Sequence, residues 1–185
     1  MIGYALTGSF CTLSRSLSAL GELVRSGEEV VPFVSERVAS TDTRFFRAAE
    51  LLRRVEELTG RRPVSTVEAA EPFGPHPLEA LIISPCTGNT LAKIAHGITD
   101  GTVTMAAKAH LRRDTPLLIA LASNDAMSQN LGSISSLLTR RSVYFVPMRQ
   151  DDPVAKPYSL VAEIERVPEA LAALREGRAL RPLFI

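Results

Sequence analysis

Short apolar runs alternate along the chain with longer segments in which apolar residues recur every three or four positions. Residues 2–7 form the first run, and a helix-spaced segment follows it and stops at Gly27. The apolar residues of that segment are Leu13, Leu17, Leu20 and Val24. Residues 30–34 form the next apolar run. Because parallel strands need a crossover connection, usually a helix, this order predicts two parallel strands joined by a helix.

The same alternation continues through the middle of the chain. A helix is predicted from a cap at Thr41 or Asp42 to Gly60, with Phe45 and Ala49 on its buried face. Three prolines and a glycine in residues 71–77 predict an ordered loop. Further strands are predicted at residues 80–83, 117–121 and 142–146, and further helices at residues 91–98, 103–111 and 127–138.

The last forty or so residues follow a looser pattern. The sequence of residues 147–157 predicts an ordered or mobile loop. Both a simple surface loop and a lid fit this pattern. Helical spacing at Leu160, Val161 and Ile164, and again at Leu171, predicts a helical tail after it. Strands that alternate with helices over most of the chain predict a doubly wound α/β sheet covered by helices on both faces. A length of 185 residues favours one domain, residues 1–185.

Composition excludes several classes of protein. Hydrophobic residues make up 45% of the chain and charged residues 22%, and the formal net charge is +1. These proportions are typical of a globular protein, and without a dense basic block we expect no nucleic-acid partner. No apolar run approaches the ~20 residues of a membrane helix, so we expect a soluble, cytoplasmic protein. Cys11 and Cys86 form no CxxC pair, and we expect neither a disulfide framework nor a metal site.

Polar side chains follow three of the predicted strands. In open α/β sheets ligands bind beyond the carboxyl ends of the strands, so these residues are candidates for a site. Gly8, Ser9 and Phe10 follow the first strand and begin a helix, where a phosphate would meet free N–H groups. A simple helix cap explains the same residues equally well. They form neither the dinucleotide-binding glycine motif nor a P-loop.

The other two segments follow the strands at residues 80–83 and 117–121. Thr87 and Thr90 lie three apart at a helix start, so their hydroxyls face one side, and Asn89 is suited to polyol or phosphate oxygens. Capping explains only one of these residues. Asn124 follows the later strand, where it serves either as a helix cap or as a donor to a substrate carboxylate or ring carbonyl.

These three segments, in this order, resemble the signatures of the flavoprotein family that includes the homo-oligomeric flavin-containing cysteine decarboxylases. The family signatures are a Gly-Ser turn, a PATANT-KIA-GIAD segment and an APAMN segment. The matching residues here are 8–10, 85–100 and 120–127. The resemblance implies a Rossmann-like or flavodoxin-like three-layer sandwich with FMN at the strand ends. It also implies a homo-oligomer, often trimer-based, with the flavin near the boundary between two protomers.

The resemblance assigns roles to particular residues. On the phosphate side of FMN it places Gly8, Ser9, Phe10 and Ser35. On the ribityl and ring side it places Pro85, Cys86, Thr87, Gly88, Asn89 and Thr90. Asn124 matches the asparagine that holds a substrate carboxylate in the decarboxylases, and Ser123 beside it is expected to help to hold that carboxylate. We interpret Cys86 as a packing residue rather than a nucleophile, because no base is identifiable beside it.

Several departures from the family pattern argue against cysteine decarboxylation. The decarboxylases carry a catalytic histidine upstream of the second signature, and Glu71 stands at that position here. His76 lies close by in the proline-rich loop and is not assigned that role. Leu121 and Ser123 replace the proline and methionine of the third signature. A flavin-dependent decarboxylase and a non-catalytic ligand-binding or scaffold subunit remain alternatives.

Other segments resemble one branch of the family. They are the Thr-Gly-Asn of the second signature and residues 105–109, 144–147, 150–157 and 181–185. The branch implies an oxidoreductase subunit that acts during endospore formation in the oxidation of a dihydropyridine dicarboxylate. A nicotinamide or flavin must accept the hydride, because side chains do not carry that chemistry. This chain has no nicotinamide fingerprint, so the implied NADP site lies on a partner subunit.

Charged and titratable residues on the predicted helices have two interpretations. Lys108, Arg112 and Arg113 either help to recognise a dicarboxylate or are solvated helix charges. His96 and His110 are predicted to be surface residues or satisfied residues within their helices.

Overall fold

The computed structural model describes residues 1–76 and 78–185, which form one α/β domain. Its strands are β1 (Ile2–Leu6), β2 (Val30–Val34), β3 (Leu81–Thr87), β4 (Leu117–Ser123), β5 (Val143–Phe145), β6 (Met148–Arg149) and β7 (Leu160–Ala162). They form one sheet in the order β2-β1-β3-β4-β7-β6, and β5 pairs with the first half of β4. Pairings among β1 to β5 are parallel, whereas β7 is antiparallel to both β4 and β6. The predicted parallel sheet is therefore confirmed, with an antiparallel extension at one edge.

Helices cover both faces of the sheet. They are α1 (Leu13–Arg25), α2 (Glu36–Ser40), α3 (Ala48–Thr59), α4 (Val67–Ala70), α5 (Gly88–Ala95), α6 (Thr102–Leu111), α7 (Leu131–Leu138) and α8 (Val167–Arg175). Short 3₁₀ turns lie at Phe10–Thr12, Glu71–Phe73 and Ile164–Arg166. Tyr4 and Leu6 of β1 pack into the core cluster that includes α1, α3 and α8, and Ala5 packs into the cluster with α5, α6 and α7. Both faces of the central strands are buried, as in a three-layer sandwich.

The helix predicted to start at Thr41 or Asp42 starts later, at Ala48. The Asp42 carboxylate accepts a hydrogen bond of 2.8 Å from the Ala48 N–H, and the residues between them form a closed loop. As a result Phe45 and Ala49 are exposed, and the prediction that they are buried was wrong. The buried face of α3 consists of Ala48, Leu51 and Val55. The stop at Gly60 is confirmed, with a φ of 67°.

The tail also departs from the prediction in part. Residues 160–162 form β7 rather than a helix, because they pair with the carboxyl end of β4 and complete the sheet there. Leu160 and Ala162 are buried, and Val161 between them is half-buried, which is the alternation of a strand. The predicted helix around Leu171 is confirmed as α8. In the predicted loop at 71–77, Glu71–Phe73 forms a 3₁₀ turn, and position 77 lies outside the described residues.

Arg175 ties α8 to the turns that precede β2 and β3. Its guanidinium donates to Glu28 at 2.6 and 2.9 Å and to Glu79 at 2.6 and 3.1 Å, and these bonds hold the pKa of both carboxyls below the ordinary value. All three groups are partly exposed, so we expect Arg175→Ala to lower the free energy of unfolding at neutral pH by only about 1 kcal/mol. Urea unfolding curves measure this loss.

The same network makes a prediction about pH. Lowered carboxyl pKa values stabilise the fold above the ordinary pKa of glutamate, and that stabilisation disappears as the pH falls through the lowered values. The difference between wild type and Arg175→Ala should therefore be smaller at acid pH, where the carboxyl groups become protonated, than at neutral pH. Arg178→Ala is the control, since Arg178 pairs only with nearby Glu176 among the described residues. If Arg175→Ala loses the same free energy of unfolding at neutral and at acid pH, the ion pairs are not the cause of that loss.

Candidate functional site

Two cavities adjoin one another at the carboxyl edge of the parallel strands. The first cavity, of about 740 Å³, is lined by the segments that follow β1 and β2 and by the starts of α5 and α6. The second cavity, of about 610 Å³, is lined by the residues around the start of α1, the end of β4, and the loop after β6. Gly8, Phe10 and Thr87 line both. Ligand pockets commonly measure ~300–1,000 Å³, so each has the size of a small-molecule site.

Ten of the twelve residues predicted from the sequence line one cavity or the other. The first cavity contains Gly8, Phe10, Ser35, Thr87, Asn89 and Thr90. The second contains Gly8, Ser9, Phe10, Thr87, Gly88, Ser123 and Asn124. The structure thus brings together segments that are distant in the sequence, and the binding roles of these residues stay predictions.

Pro85 and Cys86 are the two residues that the structure places elsewhere. Strand β3 continues through both, and their side chains are buried rather than facing the cavities. The Pro85 carbonyl accepts a hydrogen bond of 2.7 Å from the Thr7 hydroxyl, which in turn accepts one of 3.0 Å from the Thr87 N–H. These bonds fix the end of β3 beside the end of β1. Burial raises the pKa of the Cys86 thiol, in keeping with a packing residue rather than a nucleophile.

Thr87 forms the amino-terminal cap of α5. Its hydroxyl oxygen accepts a hydrogen bond of 3.2 Å from the Thr90 N–H, and the hydroxyl donates one of 3.0 Å to the Thr90 hydroxyl. The two hydroxyls therefore face one side, as their spacing predicts. Asn89, between them, is exposed and its side chain is free to meet a ligand in the first cavity.

A polar cluster packs directly against the first residue of α5. A methyl group added at Gly88 would lie 2.5 Å from Ser123 Oγ, 2.7 Å from Asn130 Nδ2 and 2.9 Å from Asp125 Oδ1. The Ser123 hydroxyl donates to the Asp125 carboxylate in a short hydrogen bond. That hydrogen is consequently engaged, and the prediction that Ser123 donates to a substrate carboxylate does not fit this arrangement. Asn124 is exposed at the cavity, and its role in holding a substrate carboxylate stays a prediction.

The charges of the first cavity largely cancel within the protein. The Glu36 carboxylate accepts hydrogen bonds of 2.7 Å from both the N–H and the hydroxyl of Thr102 and so caps α6. Lys93 Nζ lies 2.8 Å from both carboxylate oxygens of Asp100 and lowers the pKa of that carboxyl. Arg37 has no ion pair among residues 1–76 and 78–185. Glu36 and Arg37 are therefore the two charged groups of this cavity that no ion pair among these residues neutralises, and Arg37 is the cation available to a ligand.

The second cavity shows a similar pattern of internal pairing. Arg15 donates two hydrogen bonds of 2.6 Å to Glu165, and Lys156 Nζ lies 2.8 Å from Asp151. Arg44 also lines this cavity, and within the described part of the chain it has no carboxylate partner. Sequence reasoning missed these charged residues because they lie in loops or helices whose spatial neighbours the local pattern does not reveal.

The remaining titratable candidates lie away from both cavities. Lys108 and Arg112 line a separate cavity of about 240 Å³, Arg113 is exposed, and His76 lines another cavity. His96 is exposed, as predicted for a surface residue, whereas His110 is fully buried and its Nε2 has no hydrogen-bond partner among the described residues, so the prediction was only partly right for it. His96 and His110 each bond a backbone carbonyl one turn earlier at 2.9 Å, and burial lowers the pKa of His110.

Metal ligands and membrane spans are both missing from residues 1–76 and 78–185. Within these ranges, no three His, Cys, Asp or Glu side chains come together as a group that could hold a metal ion. None of the helices in this part of the chain has the length and apolar character needed to cross a membrane.

A doubly wound sheet with ligand-sized cavities at its carboxyl edge is the architecture in which α/β proteins bind small molecules. The chain belongs to the Flavoprotein family, whose profile matches residues 1–166. The B subunit of dipicolinate synthase from Bacillus subtilis (strain 168) is 38% identical to it over 185 residues, which cover 100% of this chain and 92% of that protein. The resemblance drawn from the sequence is thereby confirmed.

Solved structures agree with this assignment. The crystal structure of the dipicolinate synthase B subunit from Bacillus halodurans C matches with a TM-score of 0.91 at 39% identity, covering 100% of this chain and 95% of that one. The FMN-dependent cysteine decarboxylase SpaF matches with a TM-score of 0.67 at 22% identity, covering 95% of each chain. At that lower identity the second match shows a shared fold.

Proposed function

We propose that this chain is the B subunit of a dipicolinate synthase. It contributes to the oxidation of dihydrodipicolinate to dipicolinate (pyridine-2,6-dicarboxylate) together with an NADP-binding A subunit. The setting is the cytoplasm of the mother cell of a spore-forming bacterium. The observation that carries the proposal is the 38% identity to a dipicolinate synthase B subunit over the whole chain, the two cavities included.

FMN is the cofactor that the family implies, and the donor set of the first cavity fits it. Hydroxyl and amide groups suited to the ribityl chain come from Thr87, Asn89 and Thr90, and Ser35 offers a hydroxyl to the phosphate. Arg37 supplies a cation for the phosphate, and Phe10 and Val103 supply apolar surface. Two solved structures of the same fold, AnUbiX (PadA1) and Burkholderia xenovorans DmrB, are complexes with FMN. When bound, the flavin would supply a two-electron redox centre, and the nicotinamide proposed for the partner subunit would be the final acceptor.

The protein's own groups bind and orient the ligands. Asn124 donates its amide hydrogens to a substrate carboxylate at the end of β4, while Ser123 holds the Asp125 side chain in place. Assembly into a homo-oligomer is part of the proposal. A dodecameric Ubix-like decarboxylase and the cubic cage of DmrB share the fold, which makes oligomers the expected form.

Reconstitution tests the proposal. The purified chain should show a flavin absorbance spectrum, and mass spectrometry of the released ligand should give the mass of FMN. Adding the A subunit and NADP should raise the rate of dihydrodipicolinate oxidation at least about tenfold over the A subunit alone. Asn124→Ala should lose most of that gain, whereas a scaffold subunit would keep it. If the purified chain contains no flavin and its addition to the A subunit gives no gain in rate, the proposal is overturned.

Arg37→Ala makes a narrower prediction about the cofactor. Removal of one charge-assisted contact to a phosphate costs ~1.5–3 kcal/mol, so FMN should bind roughly 10–150-fold more weakly. Quenching of flavin fluorescence in a titration of the apoprotein measures the dissociation constant. Arg53→Ala is the matched control, because Arg53 is exposed on α3 and pairs with Glu57 at 2.7 Å. Equal affinities for all three proteins would show that Arg37 does not meet the phosphate.

A further inference from the structure

We infer that the second cavity holds the reacting ring, with Arg44 binding one of its carboxylates and Asp125 accepting the proton released on aromatisation. The inference rests on the proposed function and deepens it, because it assigns the ring to this subunit rather than to its partner. It concerns two charged residues of the cavity wall.

Among the described residues that line the second cavity, one cation and one carboxylate have no ion pair. Lys156 and Asp151, both of which line it, pair with each other, and Arg15 pairs with a carboxylate outside the lining. Among the cavity's charged groups in the described residues, Arg44 and Asp125 form no ion pair. A ligand that carries a carboxylate and releases a proton matches that pair of charges.

The loop that carries Arg44 is ordered by its own hydrogen bonds. The Thr43 hydroxyl oxygen accepts from the backbone N–H groups of Phe45 and Phe46, both at 3.2 Å. The Arg44 guanidinium lies 4.8 Å from the centroid of the Phe45 ring, a cation–π arrangement that orients it. A planar guanidinium held in this way presents parallel N–H groups, which is the geometry that binds a carboxylate bidentately. Arg44 is therefore a suitable anchor at the rim of the cavity.

Asp125 lines the same cavity and lies two residues beyond the carboxyl end of β4. Its Oδ1 accepts the Ser123 hydroxyl hydrogen and packs on Gly88. Its Oδ2 has no hydrogen-bond donor among the side chains of residues 1–76 and 78–185, which leaves this oxygen for a ligand hydrogen. One oxygen is thus fixed by the protein, and the other is free to take a proton.

The step proposed for Asp125 balances in atoms and electrons. One ring hydrogen would leave as hydride, with the electron pair of its C–H bond, and the oxidised nicotinamide proposed for the partner subunit would be its final acceptor. A second ring hydrogen leaves as a proton to Asp125 Oδ2, and the electron pair of its bond forms the new ring double bond. The ring is oxidised by two electrons, the nicotinamide is reduced by two, and the carboxyl later releases its proton to water.

Binding of the product tests the role of Arg44 without any catalytic step. Dipicolinate titrated calorimetrically into the purified chain should bind Arg44→Ala about 10–100-fold more weakly than wild type, with Arg44→Lys between them. Arg47→Ala is the control, since Arg47 is exposed three residues further on and does not line the cavity. If Arg44→Ala binds dipicolinate as wild type does, Arg44 is not the anchor.

The pH dependence of turnover tests Asp125. In the complex with the A subunit, Asp125→Asn should lower the rate by about 10²-fold or more while dipicolinate still binds. The fall in rate toward acid pH that we expect of wild type should disappear in this variant. The other charged or titratable groups facing the cavity are Cys11, Arg15, Arg44, Asp151 and Lys156, and all of them stay in place. Asp114→Asn, at an exposed turn, is the control.

The outcomes separate this inference from the proposed function. An active complex whose Asp125→Asn form keeps the wild-type rate and pH profile overturns the inference and leaves the function standing. An active complex in which this chain by itself binds no dipicolinate also overturns it, because the partner then holds the ring. A complex that does not oxidise dihydrodipicolinate at all overturns the proposed function.

Discussion

Phe33→Ala should lower the free energy of unfolding by about 3–5 kcal/mol, the cost of removing a large buried aromatic side chain. Phe33 lies in β2 at one edge of the sheet, yet its side chain is completely buried. Its ring meets Phe73 edge-on, with centroids 5.0 Å apart and planes at 72°, and a Cβ added at Gly3 in β1 would lie 3.2 Å from it. Val64 pairs with the Phe33 backbone through a parallel bridge and packs against the same core cluster.

Urea unfolding followed by circular dichroism measures the effect on the midpoint and the slope. Phe184→Ala is the control, because Phe184 is 57% exposed and its truncation should change stability by less than about 0.5 kcal/mol. If Phe33→Ala does not fold, Phe33→Leu provides a milder test with an expected loss of about 1–2 kcal/mol. A loss below about 1 kcal/mol for the alanine variant would mean that the residues packed around Phe33 move into the volume that its ring had filled.

Apolar periodicity predicted the elements whose structure depends on burial alone. The run at 2–7, the helix that stops at Gly27 and the run at 30–34 all form as expected, and Gly27 has the positive φ of 96° that a helix stop requires. Elements that depend on a particular side-chain bond were mispredicted. Asp42 closes a loop with Ala48 and thereby delays α3. Residues 160–162 form a strand because the end of β4 offers a free edge, which the local sequence does not reveal.

The candidate site was predictable to the extent that topology determines it. Parallel strands bring their carboxyl ends to one edge of the sheet, so the residues after each strand had to converge. Pro85 and Cys86 fell outside the cavities because β3 is longer than its apolar run and includes both of them. Arg37 and Arg44 were missed because only the three-dimensional structure shows which neighbouring charges are already paired. The fold thus follows from the sequence pattern, whereas the charge of the site does not.

Gly88→Ala should destabilise the protein by about 1–3 kcal/mol and disturb the second cavity. Its added methyl group would lie 2.5 Å from Ser123 Oγ and 2.9 Å from Asp125 Oδ1, closer than such atoms approach in folded proteins. Overpacking at a buried position costs ~1–3 kcal/mol. Alanine in a helix is otherwise favoured over glycine by up to about 1 kcal/mol, so a net loss isolates the steric conflict. Thermal or urea unfolding measures it, and dipicolinate binding should weaken in parallel.

Gly132→Ala is the matched control for this prediction. Gly132 lies in the first turn of α7, as Gly88 lies in the first turn of α5, and nothing stands within 4 Å of its added methyl group. The same substitution should therefore stabilise the protein there by up to about 1 kcal/mol. Combining Gly88→Ala with Ser123→Ala removes the nearest contact and should recover part of the loss. Equal effects at the two glycines, with no recovery in the double variant, would show that the packing of the polar cluster on Gly88 does not constrain this site.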